Sequence, residues 1–214
     1  MSVRLVMLGA PGAGKGTQGE RFAREHGVPR IATGDILREA VQKGSELGRA
    51  ARAVMEQGRL VGDEIMIGVV KDRVRRADAA PGFVLDGFPR TVIQAEALDG
   101  MVDDRTPLVV VDIEVPEDVL ARRLSTRRIC SVCGTTAQSN DVVCLKCGGA
   151  LVQRRDDNAA IVLERLQVYE QETQPIVDFY RDRATFRSVD GDQTQDAVAA
   201  DIAAAVASVL GVRS

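Results

Sequence analysis

Gly9, Gly14 and Lys15 stand in the segment LVMLGAPGAGKGTQ, Leu5 to Gln18, directly after an apolar run. Their G-x-x-x-x-G-K spacing is that of a phosphate cradle: glycines let the backbone turn and aim successive N–H groups at anionic oxygens, and the lysine reaches the outer phosphates. A helix starting near Lys15 would add the partial positive charge of its N-terminal end. Gly16 occupies the position where a serine or threonine commonly offers magnesium a hydroxyl. Thr17 can substitute, or the ion can be held through waters and phosphate oxygens. The alternative is a glycine-rich turn with no ligand, and the agreement of spacing, flanks and lysine argues against it.

A second set of chemistry-bearing residues is more compact. All four cysteines occur as Cys130-x-x-Cys133 and Cys144-x-x-Cys147, with Gly134, Gly148 and Gly149 close behind each pair. In a reducing compartment this spacing reads as a tetrahedral metal knot, with zinc the favoured ion. Tetrathiolate iron, or two redox-active or disulfide pairs, are the alternatives.

Arginine pairs flank the knot, Arg127 with Arg128 before it and Arg154 with Arg155 after it. If the cysteine segment loops out and back, the pairs meet at its base. Further guanidinium groups stand at Arg38, Arg90, Arg123 and Arg165, and solvated surface charge is the competing reading for any single one. In FVLDGFPR, Phe83 to Arg90, a strand ends in Asp86, which suits the acidic residue that orients magnesium waters beside a phosphate loop. A plain strand-ending turn is its alternative, as a plain helix start is for Thr33-Gly34-Asp35.

Such residues need a scaffold, and the chain supplies one. Its 214 residues, 45% hydrophobic, can bury a full core. No apolar run approaches the ~20 residues of a membrane span, no leader is expected, and the cytoplasm is the expected compartment. A formal net charge of -3 gives no global field for nucleic acid or anionic membrane. Apolar runs at 3–8, 82–86, 108–115 and 185–189 predict strands of a parallel sheet covered on both faces. Helical patterns at 17–26, 47–57, 63–77, 91–99, 117–126, 159–183 and 194–210 alternate with them, so the expected class is α/β with right-handed crossovers. Residues 31–61 read as a helical insertion with no strand partner, and 127–158 as a second insertion held by its metal. Pro175 should kink or split the long pattern around it. His26, the one histidine, reads as a surface or helix-end residue.

Four ordered motifs, GAPGAGKGT, TGDILR at 33–38, LVGDE at 60–64 and LDGFPRT with Gln94, resemble the adenylate kinase family over nearly the whole chain. VPEDVLARRLSTRR before the cysteines and RRDD at 154–157 after them extend the likeness. The resemblance implies a P-loop three-layer fold with a central parallel sheet, with its core in 1–30, 62–126 and 165–214. It also implies a monophosphate-binding insertion at 31–61 and a lid of the zinc-bearing type at 127–164. It implies reversible transfer, ATP + AMP = 2 ADP, with Lys15, Arg90, Arg127, Arg154 and Arg165 as catalytic cations. Gly12, Ala13, Gly14, Lys15, Gly16, Thr17, Arg123 and Arg127 would bind ATP. Thr33, Arg38, Arg59, Val61, Gly87, Arg90, Gln94, Arg154 and Arg165 would bind AMP. Asp86 would hold Mg2+ through water, and Cys130, Cys133, Cys144 and Cys147 a structural Zn2+. The expected partners are ATP and AMP or ADP, with no nucleic acid and no membrane, on a monomer.

The chain departs from the family pattern in a short stretch, residues 134–143, between the cysteine pairs and in Leu163, where relatives often carry arginine. A GTP-dependent AMP kinase or a UMP/CMP kinase is the rival enzyme, and Gln94 and the long lid favour AMP. A nucleotide-gated zinc-ribbon binding protein is the rival from another class, against which stand the acidic balance and the absence of aromatics among the basic residues of the module.

Overall fold

The computed structural model of the chain describes residues 2–102, 106–137, 140–154 and 157–211. The apolar runs form the strands β1 (Val3–Leu8), β2 (Arg30–Ala32), β3 (Gly82–Asp86) and β4 (Leu108–Glu114). After the short strands β5 (Arg128–Cys130) and β6 (Leu151–Gln153) comes β7 (Phe186–Asp190). Five of them make one parallel sheet in the order β2-β3-β1-β4-β7. The helices are α1 (Lys15–His26), α2 (Thr33–Gln42), α3 (Glu46–Glu56), α4 (Asp63–Val74), α5 (Val92–Asp99) and α6 (Glu117–Thr126). They continue as α7 (Ala159–Val168), α8 (Gln174–Arg181) and α9 (Gln195–Leu210).

Why the strands read as continuous apolar runs is visible in the packing. Each has two buried faces, so alternate residues enter two separate cores. Val6, Leu8, Leu85 and Val110 pack with Met66 and Val70 of α4, Leu98 of α5 and Ile176 and Tyr180 of α8. Leu5, Met7, Val84, Val109 and Val111 pack with Phe22 of α1, Leu120 of α6 and Ile202 and Val206 of α9. The result is three layers, with β1 at the centre of the sheet and the loop after it between both cores. Among the described residues no helix is long and apolar enough to cross a membrane.

Two local readings change. The insertion at 31–61 is not purely helical: Arg30–Ala32 pair in parallel with Val84–Asp86 as the edge strand β2. Three residues are too few to show a period of two, and Ile31 is the one large apolar side chain among them. The strand matters because it ends at Thr33, beside the end of β3. The helical pattern at 159–183 does split, as Pro175 requires. α7 passes into a π turn, Tyr169–Thr173, and α8 restarts at Gln174 with the proline in its first turn, where its missing N–H is harmless.

The cysteine segment is an antiparallel hairpin of its own, Arg128↔Gln153, Ile129↔Val152 and Cys130↔Leu151. Beyond it lie two alike knuckles, in which the N–H of Gly134 returns to the carbonyl of Cys130 at 3.0 Å and that of Gly148 to Cys144 at 2.8 Å. Both glycines have positive φ, near 71° and 72°, which a side chain would disfavour. Val132, Val142 and Leu145 are 75%, 86% and 82% exposed, so these apolar side chains form no core among the described residues of the knuckles. The two thiols Cys130 and Cys144 are buried there instead.

Candidate functional site

β1 ends at Leu8 and its chain turns back at Gly9, whose φ of 133° admits no side chain. A Cβ there would stand 2.7 Å from the carbonyl oxygen of Ile113 on β4. The turn closes on Gly14, and α1 begins at Lys15. The Lys15 ammonium donates to the carbonyls of Gly9 at 2.6 Å and Ala10 at 2.9 Å, so it lies across its own loop. Burial brings its pKa down to about 8; Asp86 opposes the shift, and Arg90, Arg165 and Arg127 add to it. Three arginines far apart in sequence thus converge electrostatically on the lysine.

Asp86 closes β3 next to the loop. A Cβ on Gly16 would lie 3.5 Å from its Oδ2, so the missing hydroxyl at position 16 leaves the space to this carboxylate. Arg30 holds the same oxygen, with Nη2 at 2.6 Å and Nε at 3.2 Å. Sequence reading missed Arg30, which gains its place only through β2. An oxygen-donor carboxylate beside a phosphate loop fits water-mediated magnesium.

A cleft opens between the start of α2 and the chain that follows β3. Thr33, Arg38, Arg59, Val61, Gly87, Arg90, Gln94, Arg154 and Arg165, the nine residues expected to bind AMP, all line it. Leu37 and Leu60, inside the quoted motifs, and Met55 and Met66, outside them, add an apolar wall. Its mixed polar and apolar lining suits a nucleotide. Thr33 is buried and donates to the carbonyl of Gly87 at 2.7 Å. Arg38 pairs with Asp35. Burial works against the Asp35 carboxylate, yet Arg38, Arg30 and Arg154 hold it below its ordinary pKa. Gln94 is buried, accepts from the N–H of Arg90 at 2.8 Å and donates to Asp63 at 2.8 Å, so the end of its side chain is fixed. Arg90 Nε donates to the carbonyl of Gly87 at 2.9 Å, after a cis Phe88–Pro89 bond.

The hairpin of β5 and β6 sets Arg127 and Arg154 at its two feet, since Arg128 faces Gln153. Arg155, expected there too, lies outside the described residues. Arg127 grips Asp157 with two hydrogen bonds, 2.7 and 2.5 Å, and Arg165 joins the same carboxylate at 3.0 Å. Asp157 is 2% exposed. Its signal was present in RRDD, because clustered arginines need a buried counter-charge to hold their forks, yet the reading stopped at the arginines. Arg59 reaches Glu164 on α7 at 3.4 Å. Arg123 turns instead toward β7, donating to the carbonyl of Gly191 at 2.9 Å. Gly12 and Ala13 lie in the loop, and Gly16 and Thr17 in the first turn of α1. His26 is exposed and stacks on Phe22, far from this chemistry in role.

The cysteine sulfurs all lie within 4.8 Å of one another, with Cys130 and Cys147 at 3.4 Å and Cys133 and Cys144 at 3.5 Å. A zinc tetrahedron with bonds of about 2.3 Å needs sulfurs about 3.8 Å apart. Donor type and spacing therefore fit a tetrathiolate metal ion.

A phosphate loop on the central strand and an arginine-walled cleft that shares cations with it define a P-loop kinase whose acceptor is itself a nucleotide. The family model described as Adenylate kinase matches residues 7–185. The chain is 45% identical over 210 residues to the Adenylate kinase of Archaeoglobus fulgidus, covering 94% of this chain and 97% of that one. It is 46% identical over 208 residues to that of Bacillus subtilis, covering 94% and 96%, and 48% identical over 204 residues to that of Moorella thermoacetica, covering 92% and 94%. The chain belongs to the adenylate kinase family. It is a nucleoside monophosphate kinase, transferring phosphate in ATP + AMP = 2 ADP.

Proposed function

We propose that the transfer runs between an ATP on the loop of Lys15 and an AMP in the cleft of Arg38 and Gln94, with the two phosphate chains meeting under Arg90, Arg127, Arg154 and Arg165. The observation that carries this reading is that Arg90 and Arg165 both line the cleft and act on Lys15. The loose transition state spreads charge over the equatorial oxygens, so positioning and positive charge supply the catalysis. An anionic phosphate acceptor needs no base, consistent with a chain whose one histidine is stacked at a helix end. Guanidinium forks suppress the repulsion between two polyanions and hold phosphates bidentately. Asp86 would hold Mg2+ through water, and the ion would supply charge neutralisation to the donor phosphates.

The reading divides the chain into a core of 1–30, 62–126 and 165–214, an acceptor-binding insertion at 31–61 and a lid at 127–164. Closing the lid excludes water, the competing nucleophile. Gly12, Ala13, Gly14, Gly16 and Thr17 cradle the donor phosphates, and Arg123 and Arg127 complete the donor side. Phosphorus NMR of MgATP mixed in turn with AMP, UMP, CMP and GMP tests this. ADP should appear with AMP as acceptor. ATP hydrolysis at one pace, with or without a second nucleotide, overturns the reading.

The lid metal is assigned as zinc with a structural role. Exchanging Cys130 and Cys133 for serine is expected to abolish metal binding, measured by atomic absorption, and to lower the melting temperature, because the knuckles hold no core to replace the ion. Unchanged metal content and melting would remove the thiols from that role.

A further inference from the structure

α7, which carries Arg165, and α8 make one rod interrupted by the π turn Tyr169–Thr173. The interruption changes which core the rod serves. Leu166 of α7 packs against the core of α1 and α9, whereas Ile176, Val177 and Tyr180 of α8 belong to the core of α4 and α5. A π turn takes in one residue more than an α turn, so each later side chain faces about 100° away from where an unbroken α-helix would put it. Thr173, the last residue of the turn, heads the new stripe. With Ile176, Val177 and Tyr180 it makes the i, i+3, i+4, i+7 pattern of one helix face, and all four are buried.

A threonine inside an α-helix commonly returns its hydroxyl to a carbonyl one turn back. That of Thr173 leaves the rod and donates to the carbonyl of Arg90, 3.1 Å away. Arg90 is thereby tied at three points. Gln94 Oε1 accepts from its N–H at 2.8 Å, Thr173 donates to its carbonyl, and its own Nε donates to the carbonyl of Gly87 at 2.9 Å. Gln94 stands on α5 and Thr173 on the rod, so the root of the Arg90 side chain is held by two separate elements.

We propose that Thr173 is a positioning residue for the phosphoryl transfer: its hydroxyl, set on the inner face of the rod by the π turn, fixes the backbone from which the Arg90 guanidinium reaches the acceptor cleft. The same rod carries Arg165 into that cleft, so the turn also sets one lining cation against the other. Without the hydroxyl the Arg90 carbonyl loses this donor, the peptide after it is held less tightly, and the guanidinium at the end of a long stem shifts farther than its root. A misplacement of about 1 Å at a transfer site is enough to cost up to about a hundredfold in rate. Thr173 acts through Arg90 and touches no nucleotide.

The test is the turnover of Thr173→Val, which keeps the shape and removes the hydroxyl, and of Thr173→Ser, which keeps the hydroxyl, each made in the wild type and in Arg90→Met. Thr173→Val should lower kcat about tenfold, and Thr173→Ser should stay within about twofold of the wild type. On the Arg90→Met background neither substitution should lower kcat further, because the group that the hydroxyl positions is gone. An undiminished kcat in Thr173→Val overturns the proposal, as does a serine variant as slow as the valine one. A loss of the same size that persists on the Arg90→Met background overturns it too, being the mark of a hydroxyl that only holds the fold. Should Thr173→Val fail to fold, Thr173→Ala, which brings no methyl to the place of the hydroxyl, carries the same expectations. The inference rests on Arg90 as a cation of the transfer. Full turnover in Arg90→Met would remove that foundation, whereas a crippled Arg90→Met beside an intact Thr173→Val would refute the Thr173 role alone.

Discussion

Lys15→Met is expected to lower kcat by about three orders of magnitude, the scale of losing one preorganised charge at a phosphoryl-transfer centre, while the protein stays folded. The first half follows from geometry. No other lysine follows the glycine turn, and Lys15 is where the electrostatic influence of Arg90, Arg127 and Arg165 meets. The second half follows from linkage. A lysine whose pKa is lowered from 10.5 to about 8 by burial carries its charge less readily folded than unfolded. That penalty grows as the pH falls from 10.5 to about 8 and is fully present below it. Methionine keeps the length of the chain and removes the charge, so melting at neutral pH should be no lower than in the wild type. Steady-state turnover with both nucleotides, alongside calorimetric melting, checks both halves. Retained turnover would take Lys15 out of the site.

Asp157→Asn is expected to cut kcat by about a hundredfold through two arginines it merely holds. The carboxylate is buried, binds Arg127 through both oxygens and shares one of them with Arg165. An amide can accept from one fork but offers its own N–H groups to the other. It also leaves two guanidinium groups, each 18% exposed in its side chain, without their shared counter-charge. Loss of charge-assisted bonds on the order of 2 kcal/mol should lower melting by roughly 4–8 °C in a chain of this size. The diagnostic is the split of the kinetic constants. If the arginines act chiefly on the transition state, kcat falls further than KM rises, whereas normal kcat in a less stable variant would make Asp157 a structural ion pair and nothing more.

What the sequence displayed and what it withheld divide along physical lines. The phosphate loop was legible because its requirements are local: an apolar strand, glycines at fixed offsets, a lysine, a helix. The fold class was legible because strands buried on both faces must be apolar throughout. β2 was not, since three residues carry no period and its evident member, Ile31, differs in nothing from a helix residue until β3 lies beside it. Arg30 was lost with β2. Asp157 was passed over for a different reason. A carboxylate next to arginines in sequence is unremarkable on the page. Its burial and its partners come from the whole chain. The cysteines announced their own cluster by spacing, while the exposure of Val132, Val142 and Leu145, which explains why that cluster is needed, depends on the folded hairpin. The split helix was foreseen at Pro175, but not the π turn that absorbs it.

The ladder of β5 and β6 is three residue pairs long, and Arg127 and Arg154 lie on its near side with every cysteine at or beyond its far rung. The spacing between those two guanidinium groups is consequently indifferent to how much polypeptide is spent farther out. Outer segments can be trimmed, lengthened or exchanged for unrelated cross-links at no cost to the reacting phosphates, provided the rungs close. The brevity of residues 134–143 thus falls beyond the last of those rungs.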